Sequence, residues 1–160
     1  MPVDKNGEAI PWLTYPAIEF FKNRINEKMS VFEYGSGNST IWWAKRVESV
    51  ISCEHDPKWF VKVKPTIPKN VEYLYIDLLP SQDYEKAIEK HENKFDLVVI
   101  DGRKRVLCAK NCLTSLKGDG VIIWDNSDRE KYQEGYQFLK DNGFRKLDFK
   151  GIGPIIVPVI

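Results

Sequence analysis

The sequence predicts a doubly wound α/β domain: a mostly parallel, seven-stranded sheet with helices on both faces and a C-terminal antiparallel hairpin. Three observations carry this. Short runs of β-forming residues alternate strictly with amphipathic segments, which is the pattern of βαβ units. Two of the runs, Phe95-Asp96-Leu97-Val98-Val99-Ile100 and Val121-Ile122-Ile123-Trp124, are almost continuously apolar, as strands covered on both faces must be. The last two runs, Phe144 to Phe149 and Ile152 to Val159, have no helix between them and meet at Gly151. Strands joined that closely pair antiparallel.

The elements follow in order. Residues 1–14 are polar, carry Pro2 and Pro11, and read as an arm. Pro16 opens a helix whose apolar stripe is Ala17, Ile18, Phe20, Phe21 and Ile25. The first strand is 30–34, and a helix follows over 38–47. Trp42 and Trp43 adjoin in it, so at least one faces the sheet and the other is free to be exposed. The second strand is 49–54. Asp56-Pro57 supplies a cap and a first-turn proline for a helix over 57–64, which Pro65 and Pro68 end. Val71 to Ile76 alternates weakly as a third strand, and a polar helix follows over 82–92. After the fourth strand, 95–100, a helix over 104–116 is stopped by Lys117-Gly118-Asp119-Gly120. The fifth strand is 121–124. A helix over 129–141 ends at Asn142-Gly143, where glycine suits the position just past the cap.

A chain of 160 residues fits one domain. Its composition is that of a soluble protein, 42% apolar and 29% charged, and the net charge is only +1. That balance, with no dense basic run, argues against a nucleic-acid partner. No apolar run approaches the roughly 20 residues that span a bilayer, and the start lacks a basic segment followed by an apolar core. The expectation is a cytoplasmic protein with a small-molecule ligand and no membrane partner. A core of this size fits a small or open substrate, a partner that completes the pocket, or a homodimer. Cys53, Cys108 and Cys112 form no C-x-x-C pair. Cys108 and Cys112 share a helix face but lack a nearby His or Cys to complete a zinc set, so all three read as small buried residues.

The most informative stretch is Val31-Phe32-Glu33-Tyr34-Gly35-Ser36-Gly37-Asn38-Ser39-Thr40. It reads as a strand, a tight turn and a helix start. Gly35 and Gly37 permit backbone angles and close approaches that a Cβ would block. Asn38, Ser39 and Thr40 can cap the helix, whose N–H groups suit a polar ligand. The next strand ends in Glu54, and a carboxylate there can accept hydrogen bonds from both hydroxyls of a ribose. These features point to a nucleoside-type cofactor.

Ligands of open α/β sheets bind beyond the carboxyl ends of the strands. Each of the parallel strands ends at or near an acid: Glu33, Glu54, Asp77, Asp101 and Asp125. Any one of them could be an ordinary cap. Together they predict an acidic crevice suited to amino and hydroxyl donors or to a metal ion. A dinucleotide site fits less well, because Thr40 stands at the third glycine of G-x-G-x-x-G and Glu33 precedes the first.

From about residue 15 onward this layout resembles class I S-adenosylmethionine-dependent methyltransferases. The matching residues are Glu33-Tyr34-Gly35-Ser36-Gly37, Glu54, Asp77 and Phe95 to Gly102, and the terminal antiparallel pair is also typical of the family. The resemblance implies S-adenosylmethionine as cofactor, with Gly35, Ser36, Gly37 and Ser39 along the methionine moiety and Glu33 and Asp101 near its amino group. It places Glu54 at the ribose, Asp77 and Leu78 at the adenine edge, and His55 against the ring.

Asp101-Gly102-Arg103-Lys104 and Asp125-Asn126 are similar to elements of the metal-dependent catechol-type O-methyltransferases. In that group the two acids and the amide hold a divalent cation, here Asp101, Asp125 and Asn126, and the lysine, here Lys104, assists deprotonation of the acceptor hydroxyl. Oxygen ligands suit Mg²⁺, and a bound cation lowers the pKa of a coordinated hydroxyl. The same residues are also explained by cofactor binding, a strand-end turn and a helix surface. Arg103 and Arg105 are a second possibility, an anion site for a phosphate or carboxylate on the acceptor. Tyr15, with Trp12 and Thr14, precedes the first helix, in a region that in this family often closes over cofactor or acceptor. Two other readings stay open: an aminopropyltransferase-like enzyme, and a non-catalytic S-adenosylmethionine-binding module that needs a partner.

Overall fold

Residues 1–154 are described in a computed structural model. Among them a five-stranded parallel sheet forms in the order β3-β2-β1-β4-β5. Its strands are β1 (Ser30–Tyr34), β2 (Ser49–Glu54), β3 (Val71–Tyr75), β4 (Phe95–Ile100) and β5 (Leu116–Trp124). The helices are α1 (Tyr15–Lys22), α2 (Asn38–Ala44), α3 (Pro57–Val63), α4 (Asp83–Lys86), α5 (Arg105–Asn111) and α6 (Gln133–Asp141), and they cover both faces. No described helix is long and apolar enough to cross a membrane.

The two-residue period of a strand sorts β1 between the two faces. Phe32 and Tyr34 join Tyr84, Ile88, Phe95, Cys108 and Cys112 in one apolar layer. Val31 joins Phe21, Trp42, Trp43 and Val50 in the other. Glu33 shares Val31's face and is carried under α2. Both tryptophans are buried, at 2% and 0% exposure, with the Arg46 guanidinium lying 4.2 Å over the Trp42 ring. All three cysteines are buried and free. The strand order reverses between β1 and β4, which pair from Val31↔Leu97 to Tyr34↔Ile100. A doubly wound sheet opens its binding crevice at that reversal.

The terminal hairpin and the count of seven strands are corrected. Residues 144–149 form no strand. Phe144 packs against the layer of Tyr84 and Cys108, whereas Phe149 packs on Phe20 at 4.8 Å and Phe21 at 6.2 Å, on the opposite face. A segment anchored on both faces must cross the β5 edge rather than run along it. Tyr15 N–H then donates to Ile152 O at 2.9 Å. The rest of the expected pair, from 155 on, lies outside the described residues. Smaller differences have local causes. The segment Lys117-Gly118-Asp119-Gly120 belongs to β5, with a register shift between Phe95 and Leu97. The helix expected over 82–92 divides into α4 and a 3₁₀ turn at Ala87–Lys90. The end of α6 is as expected: Gly143 has φ 87°, and the bonds Gly143 N–H to Lys140 O and Phe144 N–H to Leu139 O form a Schellman motif.

Candidate functional site

The turn after β1 is pinned atom by atom. Gly35 N–H donates to Cys53 O at 2.9 Å, and Ser52 Oγ donates back to Gly35 O at 2.8 Å. Gly37 N–H donates to Thr40 Oγ1 at 3.1 Å, and Trp59 Nε1 donates to Ser36 O at 3.0 Å. Gly35 has φ 101°, and a Cβ there would stand 3.3 Å from Gly102 N. The turns after β1 and β4 therefore touch main chain to main chain, which only glycine permits. Trp59 and Met1 cover Gly37, at 3.7 and 3.8 Å from where its Cβ would stand.

Glu54 ends β2 and is 4% exposed. Its Oε1 accepts from the backbone N–H of His55 (2.8 Å) and Asp56 (2.9 Å). Its Oε2 accepts from Ser36 Oγ at 2.8 Å. Because the Ser36 proton is committed there, the Tyr73 hydroxyl, 2.8 Å from Ser36 Oγ, donates to it, completing a chain Tyr73–Ser36–Glu54. His55 Nδ1 lies 3.0 Å from Glu54 Oε1, and its ring meets Tyr84 edge-on at 5.8 Å.

Glu33, expected in the crevice, is instead buried at 1% exposure. Thr40 Oγ1, the acceptor for Gly37 N–H, donates to Glu33 Oε2, so the acid braces the turn from below. Glu33 Oε1 has no hydrogen-bond partner among the described residues. Burial pushes this carboxyl from 4.5 up to about 7, against the opposing hydrogen bonds of Ser39, Thr40, Ser52 and Trp43. A raised carboxyl pKa gives stability that is complete below about pH 4.5 and lost as pH rises through about 7. The full swing is worth about 3 kcal/mol. Melting temperature is therefore expected to fall between pH 5 and 8, and Glu33→Gln to flatten that slope. Parallel slopes in the two proteins would show that Glu33 does not carry it.

Asp101 and Asp125 end β4 and β5, and Arg105 stands between them. Arg105 Nη2 donates to Asp101 Oδ1 at 3.0 Å and to Asp101 O at 2.8 Å. Its Nε donates to Gly102 O at 3.0 Å, its Nη1 donates to Asp125 O, and Nη1 lies 3.7 Å from Asp125 Oδ2. The Arg105 side chain is 7% exposed and that of Asp101 is 37% exposed. Burial first, and then the neighbouring Asp125 carboxylate, raises the Asp101 pKa, against the pull of Arg105.

This arrangement corrects two expectations. Arg105 faces inward onto carboxylates, so it forms no anion site with Arg103, which is exposed. A divalent cation does not fit at Asp101, Asp125 and Asn126, because a guanidinium already supplies the positive charge between the two acids. Among the described residues no group of three or more His, Cys, Asp or Glu can hold a metal ion. Asn126 is exposed and turns the chain at φ 50°.

Lys104 is not free to act as a base either: its Nζ donates to Glu85 Oε2 at 2.9 Å and to Leu78 O at 2.8 Å. Asp77 is exposed and accepts from the Tyr75 hydroxyl. Tyr15 begins α1 and is 52% exposed. The expected acidic crevice is thus balanced locally: Glu54 and Asp77 accept from hydroxyls, and Asp101 and Asp125 share the Arg105 guanidinium. Trp59, Tyr73 and Tyr84 were not singled out by the sequence. Position in α3 and on β3 marked the first two only as ordinary amphipathic residues.

No family model and no curated protein matches the chain. Solved structures do. The chain is similar to a precorrin-6y C5,15-methyltransferase from Geobacter metallireducens, with TM-score 0.67, 17% identity, and coverage of 91% of this chain and 81% of that one. It is similar to precorrin 8w decarboxylase of Methanobacterium thermoautotrophicum, with TM-score 0.66, 18% identity, and coverage of 89% and 78%. It is also similar to a SAM-dependent methyltransferase from Aquifex aeolicus, with TM-score 0.56, 18% identity, and coverage of 83% and 81%. The fold is that of the class I methyltransferases.

Proposed function

We propose that the chain binds S-adenosylmethionine at the β1 turn and transfers its methyl group to a small-molecule acceptor. The observation that carries this reading is Glu54, a nearly buried carboxylate at the end of β2, joined through Ser36 to a glycine turn packed on the β4 turn. A ribose needs a fixed acceptor beside a close backbone approach, and both are present. Bound S-adenosylmethionine would supply a methyl group on a sulfonium sulfur, and its transfer to an acceptor lone pair leaves a neutral thioether.

The residues of this chain bind and position. Glu54 accepts from the ribose hydroxyls, with His55 beside it. Gly35, Ser36, Gly37 and Ser39 line the methionine side, and Glu33 keeps that turn in shape. Asp77 and Leu78 lie on the base side. Asp101, partly exposed beside Asp125, takes the proton that an acceptor hydroxyl or amine gives up, and Arg105 balances the pair. Because the Asp101 pKa is raised, this role strengthens as pH rises. Holding the acceptor in line with the donor supplies much of the rate.

Calorimetric titration with S-adenosylmethionine and S-adenosylhomocysteine tests the reading. Micromolar binding is expected, and Glu54→Ala is expected to weaken it about 100-fold, since charge-assisted hydrogen bonds each carry roughly 1.5–3 kcal/mol. A wild-type protein that binds neither nucleoside overturns the proposal.

A further inference from the structure

Lys104 holds a second ion pair on the same rim, and the glycine turn does not account for it. The residue sits in the left-handed region at φ 47°, a conformation that persists in a non-glycine residue only where its surroundings fix it. Those surroundings are clear. Lys104 Nζ donates to Glu85 Oε1 at 3.2 Å, to Glu85 Oε2 at 2.9 Å and to Leu78 O at 2.8 Å. An ammonium has three donors, so none is left over.

Glu85 is itself immobilised. It is 2% exposed, and its carbonyl accepts from the Tyr34 hydroxyl at 2.9 Å and from Asn111 Nδ2 at 3.3 Å. Lys104 therefore reaches from an anchored point, fixed to β1 and α5, across to the loop that follows β3. In that loop Asp77 is exposed and Leu79 is 75% exposed, while Leu78 packs its side chain against the layer of Tyr84 and leaves its main chain to Lys104. The loop starts beside Glu54, because Ile76 N–H donates to Glu54 O at 2.9 Å. Residues 77–79 thus continue the strand beside Glu54, and on the adenosyl reading they form the base side of the site.

We infer that Lys104, held by Glu85, is a positioning residue for the base-binding loop, fixing Leu78 so that the backbone there reads the edge of the purine. This rests on the adenosyl reading of the site. It gives the Lys104 side chain a role in ligand selectivity and none in proton transfer.

The experiment is calorimetric titration of wild type, Lys104→Met and Lys104→Arg with S-adenosylhomocysteine and with S-inosylhomocysteine, which differ only at the purine edge. Wild type is expected to prefer the adenosyl ligand. Lys104→Met is expected to bind it about 10-fold more weakly, the scale of one charged hydrogen bond. The inosyl ligand should change far less, so the preference collapses, and Lys104→Arg should restore it. A merely structural role would weaken both ligands alike. That result, or a folded Lys104→Met protein with the wild-type preference, overturns the inference. So does a wild type that binds the adenosyl ligand without preferring it, and in these cases the cofactor reading stands. A wild type that binds neither ligand sinks both. Should Lys104→Met lack a cooperative melt, Glu85→Gln reads the same ratio: loss of preference supports the inference, and retention overturns it.

Discussion

Gly102→Ala is expected to lower the melting temperature by about 10 °C and to abolish nucleoside binding. A Cβ on Gly102 would stand 2.0 Å from the Tyr84 hydroxyl and 3.1 Å from both Gly35 N and Tyr34 C. The side-chain clash can be relieved only by moving Tyr84, which is fully buried in the layer beneath. The backbone contacts cannot be relieved without separating the β1 and β4 turns. Overpacking of this kind costs roughly 1–3 kcal/mol or more, and about 3 kcal/mol corresponds to roughly 10 °C in a chain of this size. A second variant separates the two components. The Tyr84 hydroxyl has no hydrogen-bond partner among the described residues, so Tyr84→Phe alone should change little. In the Gly102→Ala background it should recover much of the stability but not the binding, because Gly35 is still displaced. Thermal melts and titrations of the two single variants and the double variant check this. Full recovery of binding in the double variant would show that the backbone contact is dispensable.

Where the sequence was legible, a single strong local signal sufficed. β1, β2 and β4 were bounded to the residue, because parallel strands buried on both faces read as apolar runs closed by an acid. Asp56-Pro57 gave the start of α3, with Asp56 Oδ1 accepting from Lys58 and Trp59 N–H at 2.9 Å. The C-terminal segment misled because two short runs that meet at a glycine with no helix between them look like a hairpin. Phe144 and Phe149 instead anchor a crossing between two apolar layers, and that long-range fact has no local signature. The helix expected over 104–116 starts late because Lys104 is held left-handed by contacts to Leu78 and Glu85, which lie far from it in sequence.

The same division governs the site. Glycines, strand-end acids and their order along the rim are sequence properties, and they led to Glu54, Asp101 and Asp125. Partners are not. Period-two alternation could have warned that Glu33 shares a face with Val31 and would go under α2 rather than into the crevice. Nothing local says that Arg105 rather than a cation balances Asp101 and Asp125, or that Trp59 lies over Ser36.

Arg105→Met carries the other large effect. The change keeps much of the apolar stem but removes the donors to Gly102 O, Asp101 O and Asp125 O and the charge beside two carboxylates. Breaking a buried ion pair by removing one partner typically costs about 3–5 kcal/mol, and with the Asp101 side chain 37% exposed the lower end of that range is expected. The sign of the pH dependence identifies the cause. Arg105 holds down an Asp101 pKa that burial and Asp125 raise, so its loss raises that pKa further. Stability tied to a raised carboxyl pKa is present below the unfolded value and lost as pH rises through the folded one. The gap between variant and wild type should therefore widen as pH rises through about 8, from pH 6 to pH 9.5. Adding Asp101→Asn should close much of it at pH 9.5 by removing one of the two uncompensated charges. Melts at both pH values on the single and double variants decide between charge and packing. A gap that is equal at both pH values and unaffected by Asp101→Asn would mean that Arg105 acts through its packing, with the Tyr132 ring 5.6 Å away. The electrostatic account of the Asp101–Arg105–Asp125 cluster would then fall, and the role given to Asp101 in accepting a proton would fall with it.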